Sequence, residues 1–334
     1  MISTLQIIRE TLAAEMRRDP DILLMGEDIA RYGGAFGVTK GLLDEFGPER
    51  VRNTPISEQA LVGTAIGAAV AGLRPVVEIM FSDFATLIVD QMVNMAAKLK
   101  PIYGLDCPLV VRLPSGGGRG YGATHSQVVE RFFTGVPGLR ILAPALPRDF
   151  STLLQAALRS NAPTLLIEHK MIYPMRAEWD GIMEGERPRE PHMENECPSE
   201  PRAQVAREGS DVTLIAWSWM THHALAAAQL LDGRDVSAEV VDLRSLAPLD
   251  MDTLLASVQK TRRVVIVEEG PITGGFAAEI AARLADAAHG CLDAPVKRVA
   301  FPDFPVPAAR ALESELLPTP EKIADAAFDV ACWV

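Results

Sequence analysis

The chain has 334 residues, room for two ordinary domains and too many for one typical core. Hydrophobic residues at 48 % and charged residues at 23 % exclude a disordered chain, and no apolar run is long enough to span a bilayer. A net charge of −12, from 32 basic and 44 acidic residues, leaves no basic stripe for nucleic acid; an acidic surface suits a basic protein partner, or solubility alone.

In chain order, residues 3–18 predict an amphipathic helix. Leu5, Ile8, Leu12 and Met16 fall on one face, Ser3 with Gln6 forms a capping box, and Asp19-Pro20 ends it. Nothing in this segment reads as a targeting signal. The cysteines Cys107, Cys197, Cys291 and Cys332 have neither metal nor redox spacing, so a reduced, cytoplasmic protein is expected.

Apolar runs at residues 22–25, 75–80, 109–113, 139–142 and 164–168 predict strands. They alternate with helical patterns at 59–72, 86–99 and 148–159. Residues 171–208 are rich in Pro, Glu and Arg with little periodicity, and read as a linker. The alternation restarts with strands at 212–217, 238–242 and 264–268 and helices near 221–231 and 276–287. The expected class is therefore α/β: two domains with mostly parallel sheets, spanning 1–170 and 209–334.

Several segments could carry chemistry. Gly26-Glu27-Asp28 follows the first strand, where two acids are often only a solvated turn. Asn53-Thr-Pro-Ile-Ser-Glu-Gln59 predicts a helix entry, with Thr54 capping and Pro55 in the first position. Glu58 then lies in the first turns, where the helix dipole favours any carboxylate. Behind it Gly63, Gly67 and Ala71 recur every four residues, a stripe that lets another backbone approach closely. Burial of that helix against a neighbouring element or subunit would desolvate Glu58 and make it a candidate proton-transfer group. Phe81 and Phe84 follow the next strand, with core packing as their default.

The run Ser115-Gly-Gly-Gly-Arg-Gly-Tyr-Gly-Ala-Thr-His125 follows a strand but fits neither G-x-G-x-x-G nor G-x-x-x-x-G-K-[ST]. It reads as a mobile loop at a carboxyl edge, where open α/β sheets place ligands, with His125 able to shuttle protons. A simple surface loop is the alternative. His222-His223 has no third ligand in view, and no metal site is assigned.

Together, GEDIARYGGAFGVTKGL (26–42), NTPISEQ (53–59), PVVEIMFSDFATLIVDQMVNMAAK (75–98), GATHSQ (122–127) and PLDMDTLLASVQKTRRVVIVEEG (248–270) resemble one family in order and spacing. It is the β subunits of the thiamine-diphosphate-dependent first component of 2-oxo acid dehydrogenase complexes, of pyruvate, acetoin or branched-chain type. The resemblance implies a pyrimidine-binding domain followed by a transketolase C-terminal-like domain. It also implies an α2β2 heterotetramer with an α subunit, and a lipoyl-bearing acyltransferase as acyl acceptor. Thiamine diphosphate would lie at the subunit interface with Mg²⁺ held mainly by the α subunit, because nothing here resembles the family's G-D-G…N-N stretch.

By position, the resemblance makes Glu58 the carboxyl that shares a proton with the aminopyrimidine ring. His125 is the histidine that steadies intermediates or moves protons in acyl transfer. Phe84 is an aromatic near the ring, and Glu27 an acid near the subunit interface. A split transketolase-like subunit that passes a two-carbon unit to another acceptor, such as an acyl carrier protein, shares these motifs. A non-catalytic assembly subunit is the third reading.

Overall fold

The computed structural model describes residues 1–179, 181 and 201–333. They fall into two compact units, 1–115 with 133–201 and 116–132 with 202–334.

The first unit opens with β1 (Ile2–Ser3) and α1 (Thr4–Arg18), whose Ser3/Gln6 capping box is present. Ile7, Ile8, Leu12 and Met16 are buried along α1. Then come β2 (Ile22–Gly26), α2 (Leu42–Phe46), β3 (Val51–Asn53), α3 (Glu58–Val70) and β4 (Arg74–Glu78). After two irregular turns follow α4 (Ala97–Tyr103), β5 (Val110–Ser115), β6 (Arg140–Leu142), α5 (Pro147–Arg159), β7 (Thr164–His169) and β8 (Arg176–Ala177). The parallel strands lie in the order β6-β7-β5-β4-β2-β3. Every residue of β2, β4, β5 and β7 is buried, the pattern of strands covered on both faces. On α5, Phe150, Leu153, Leu154 and Leu158 are buried, and Ser151 Oγ accepts the hydroxyl of Thr11 on α1 at 2.9 Å.

The helix expected over 86–99 is interrupted. A 3₁₀ turn (Ser82–Ile88) and a π turn (Gln91–Ala96) precede α4. A π turn inserts one extra residue, so a fixed 3.6-residue period does not run through it.

The second unit contains β9 (Gln204–Arg207), β10 (Val212–Ala216), α6 (Trp219–Asp232), β11 (Ala238–Asp242), β12 (Ser245–Ala247) and α7 (Met251–Thr261). It continues with β13 (Val264–Pro271), α8 (Phe276–Ala287), β14 (Lys297–Phe301), α9 (Arg310–Leu316) and α10 (Pro320–Ala331). Its sheet runs β14-β13-β10-β11-β9, parallel except for β9. Val212, Leu214, Val240 and Val265 pack with Ala224, Leu231, Ile323 and Ala327 of α6 and α10 into one core.

Inside the span expected as linker, Ile2 and Ser3 pair with Ala177 and Arg176, and Val205 pairs with Val241. Regular pairing thus reaches into 171–208 from both ends; residues 182–200, with Cys197, lie outside the described residues. Among the described residues no helix is long and apolar enough to cross a membrane.

Candidate active site

In the first unit, parallel pairing of β2 with β3 brings their carboxyl ends side by side. Gly26 closes β2, and a Cβ there would lie 2.8 Å from the Glu78 carbonyl oxygen, which fixes the residue type. Thr54 donates its N–H to the Gly26 carbonyl at 3.0 Å, and Ala30 donates to Asn53 Oδ1 at 2.9 Å. These bonds lace the loop after β2 to the segment that enters α3.

Glu58 is the first residue of α3 and is buried at 8 % exposure. The helix starts three residues later than Thr54-Pro55 suggests. Ser57 is the N-cap and makes no side-chain cap bond, while the Thr54 hydroxyl is buried without a partner. Glu27 is equally buried, and its Oε1 has no partner. Burial, then the charges of Glu58 and Asp28, raise the Glu27 carboxyl above its ordinary range against a hydrogen bond from Ser57. Two carboxyls therefore share one poorly solvated corner at the mouth of α3.

The small-residue stripe is not buried within the chain. Gly63 and Gly67 are exposed, and a Cβ on either would meet nothing within 4 Å. The expectation of a covering element is not met within the unit.

Phe84 is half-buried. Its ring lies 6.1 Å from that of Phe81, which meets Phe36 at 5.5 Å, and Phe36 meets Tyr173 at 5.4 Å. This aromatic row ends on a buried charge network. Arg112 donates to both oxygens of Glu168 at 2.8 and 2.6 Å and also to Glu78, while the Tyr173 hydroxyl donates to Glu168 at 2.7 Å. Burial lowers the pKa of Arg112, but Glu168 and Glu78 outweigh it and hold the guanidinium charged. Burial raises the Glu78 carboxyl, and burial together with Glu168 raises the Tyr173 hydroxyl.

In the second unit, the Gly-rich segment is anchored, not free. Gly117 donates its N–H to Glu269 at 2.6 Å, and Gly118 and Gly120 donate to the two oxygens of Glu313 at 2.8 and 2.7 Å. His125 at its end is half-buried, with Nδ1 3.0 Å from Thr124 Oγ1. Glu130 accepts from the Trp217 indole at 3.0 Å. Glu268 is pushed up to about 8 by burial, against bonds from the Ala277 and Phe276 N–H groups and with Glu130 adding to the rise. His223 Nδ1 lies 2.6 Å from the Pro318 carbonyl oxygen, and no metal-binding cluster occurs among the described residues.

Sequence reading singled out Glu27, Glu58, Phe84 and His125 as candidates, and it did not single out Arg112, Glu268, Glu269 or Glu313, which the structure places in buried hydrogen-bonded or charged settings. The first three of those missed did carry a signal, since charged residues inside otherwise apolar strands must be paired or serve a purpose. Glu313 carried none.

Two α/β units of this topology, the first with paired carboxyls at a strand edge, define a transketolase-like protein. Residues 1–176 match the transketolase pyrimidine binding domain and residues 202–323 the transketolase C-terminal domain. The acetoin:2,6-dichlorophenolindophenol oxidoreductase subunit beta of Bacillus subtilis (strain 168) is 40 % identical over 99 % of this chain and 97 % of its own. The pyruvate dehydrogenase E1 component subunit beta-1 of Arabidopsis thaliana, a mitochondrial protein, is 42 % identical over 95 % and 85 %. The 2-oxoisovalerate dehydrogenase subunit beta of Bacillus subtilis (strain 168) is 39 % identical over 99 % of both. A split-gene transketolase, solved as an inactive beta4 tetramer, shares the fold at a TM-score of 0.76 and 23 % identity over 99 % of both chains. The chain belongs to the family of β subunits of 2-oxo acid and acetoin dehydrogenases.

Proposed function

We propose that this chain is the β half of an enzyme that decarboxylates a 2-oxo acid, or cleaves acetoin, and passes the acyl group to a lipoyl-bearing acyltransferase. Its α partner would complete an α2β2 assembly and hold Mg²⁺ and the diphosphate of thiamine diphosphate. The cytoplasm is the proposed compartment. The observation that carries this reading is the buried Glu58 carboxyl beside the unpartnered Glu27 Oε1, an arrangement suited to a ring with several nitrogen atoms.

Thiamine diphosphate, when bound, supplies the electron sink that takes up the electron pair left as CO₂ departs. Glu58 holds a proton against the aminopyrimidine ring, and its position at the mouth of α3 keeps that bond out of bulk water. Glu27 supports the same corner from the loop after β2. Phe84 offers an aromatic face near the ring, and His125 moves a proton during acyl transfer.

Co-purification with the α subunit, followed by decarboxylation assays on pyruvate, branched-chain 2-oxo acids and acetoin, tests the proposal. Turnover of one of these by the pair, and by neither chain alone, is the expected result. Tight calorimetric binding of thiamine diphosphate and Mg²⁺ to the isolated β chain would overturn the divided site.

A further inference from the structure

Residues 116–125 contain five glycines, and four of them, Gly116, Gly118, Gly120 and Gly122, sit at positive φ. A segment so rich in glycine has more conformational freedom to lose than an ordinary one of its length. Something must hold it if it is to present His125 in one place. What holds it is a pair of buried carboxylates. Glu269, at the end of β13, takes the Gly117 N–H, and Glu313, in α9, takes those of Gly118 and Gly120.

Glu313 is 1 % exposed. Burying a carboxylate is unfavourable unless donors surround it, and here backbone N–H groups of the loop are such donors. The fit is close: a Cβ on Gly117 would lie 2.8 Å from Glu313 Oε1, and one on Gly120 2.7 Å from Arg310 Cγ. Arg310 adds a bond from Nε to the Arg119 carbonyl at 3.2 Å. Two residues beyond Gly120, the Gly122 carbonyl accepts the N–H of His125 at 3.2 Å. The clamp on Gly118 and Gly120 thus fixes the start of the turn that carries His125.

We propose that Glu313 is a positioning residue for His125. It acts by templating the Gly-rich loop, and the catalytic part of this inference rests on the reading of His125 above. A glutamine at 313 keeps the volume and one acceptor but turns an NH₂ group toward the second backbone N–H.

The test uses the enzyme co-expressed with its α subunit, comparing Glu313→Gln, His125→Ala and the double variant. In Glu313→Gln, amide exchange over residues 116–125 should quicken about tenfold while α10 is unchanged. Its kcat should fall about tenfold with KM for the 2-oxo acid within about twofold. In the His125→Ala background the same substitution should cost nothing further, because both changes remove one effect. Unchanged loop exchange, or losses that multiply in the double variant, would overturn the proposal. A His125→Ala enzyme at the wild-type rate would overturn the reading of His125 instead, with the exchange experiment still deciding the clamp.

Discussion

Burial, and after it the charge of Glu58, raises the carboxyl of Glu27, a residue 31 positions earlier that is buried beside it with one oxygen unpartnered. One lies in the loop after β2 and the other opens α3, and they are brought together because β2 and β3 are parallel neighbours. Glu58→Gln keeps the side-chain volume and removes the charge. The variant should assemble with its α partner normally, and the Glu27 carboxyl should fall only part of the way, because burial, the larger cause of its rise, remains. If Glu58 holds the proton at the ring, turnover should drop at least about 100-fold. Size-exclusion chromatography and steady-state assays of the co-expressed pair check both; near-wild-type turnover would remove Glu58 from its proposed role.

Glu268 gives the second unit a pH dependence of defined sign. Its folded pKa of about 8 lies above that of a glutamate in an unfolded chain, about 4.3. Between those values the folded state binds the extra proton, so stability falls as pH rises through that window and levels off above it. Glu268→Gln keeps an acceptor for the Ala277 N–H and cannot ionise. Its melting temperature relative to wild type should rise from pH 5 to pH 8, as thermal scans at several pH values will show. A constant difference would mean that Glu268 does not titrate in this window.

Parallel strands buried on both faces leave near-continuous apolar runs, which is why β2, β4, β5 and β7 were legible from residue type alone. The interrupted 86–99 segment was not, because it departs from the 3.6-residue period on which the reading depends. The corner that joins Glu27 to Glu58 was not legible: the family motifs implied a place for each acid separately, and it is the parallel pairing of β2 with β3 that brings them together. The loop clamp could not be read at all. Glu313 lies 195 residues from Gly118 in a segment, Arg-Ala-Leu-Glu-Ser-Glu-Leu, that looks like an ordinary charged helix. A long-range bond from a carboxylate to a backbone N–H leaves no pattern in side-chain sequence.

The exposed stripe on α3 predicts effects of opposite sign on folding and on assembly. Gly67 lies inside a helix with open space beside it, so Gly67→Ala should stabilise the isolated chain by about 0.5–1 kcal/mol. If another subunit packs on the stripe, a larger side chain there blocks it. Gly67→Leu should fold but fail to co-purify with the α subunit as a tetramer. Chemical denaturation of the isolated chain and sedimentation of the co-expressed pair separate the two effects. A Gly67→Leu tetramer of normal size would show that this face is not an interface.

Loss of Arg112 should cost the first unit heavily. It is 1 % exposed and lies between Glu78 and Glu168, at 5 % and 0 %. Replacing it by Met fills much of the volume but strands two buried carboxylates, a change that costs about 3–5 kcal/mol in comparable settings. The Tyr173 hydroxyl satisfies only one oxygen of Glu168, so it does not offset the loss. The cost should depend on pH. Burial already raises the Glu78 carboxyl against the opposing pull of Arg112; without the guanidinium that opposition is gone, and Glu78 escapes the penalty by taking a proton as the pH falls. Denaturant midpoints should therefore show Arg112→Met farthest from wild type at pH 8 and closer at pH 5. The opposite trend would mean that the carboxylates are not the source of the loss.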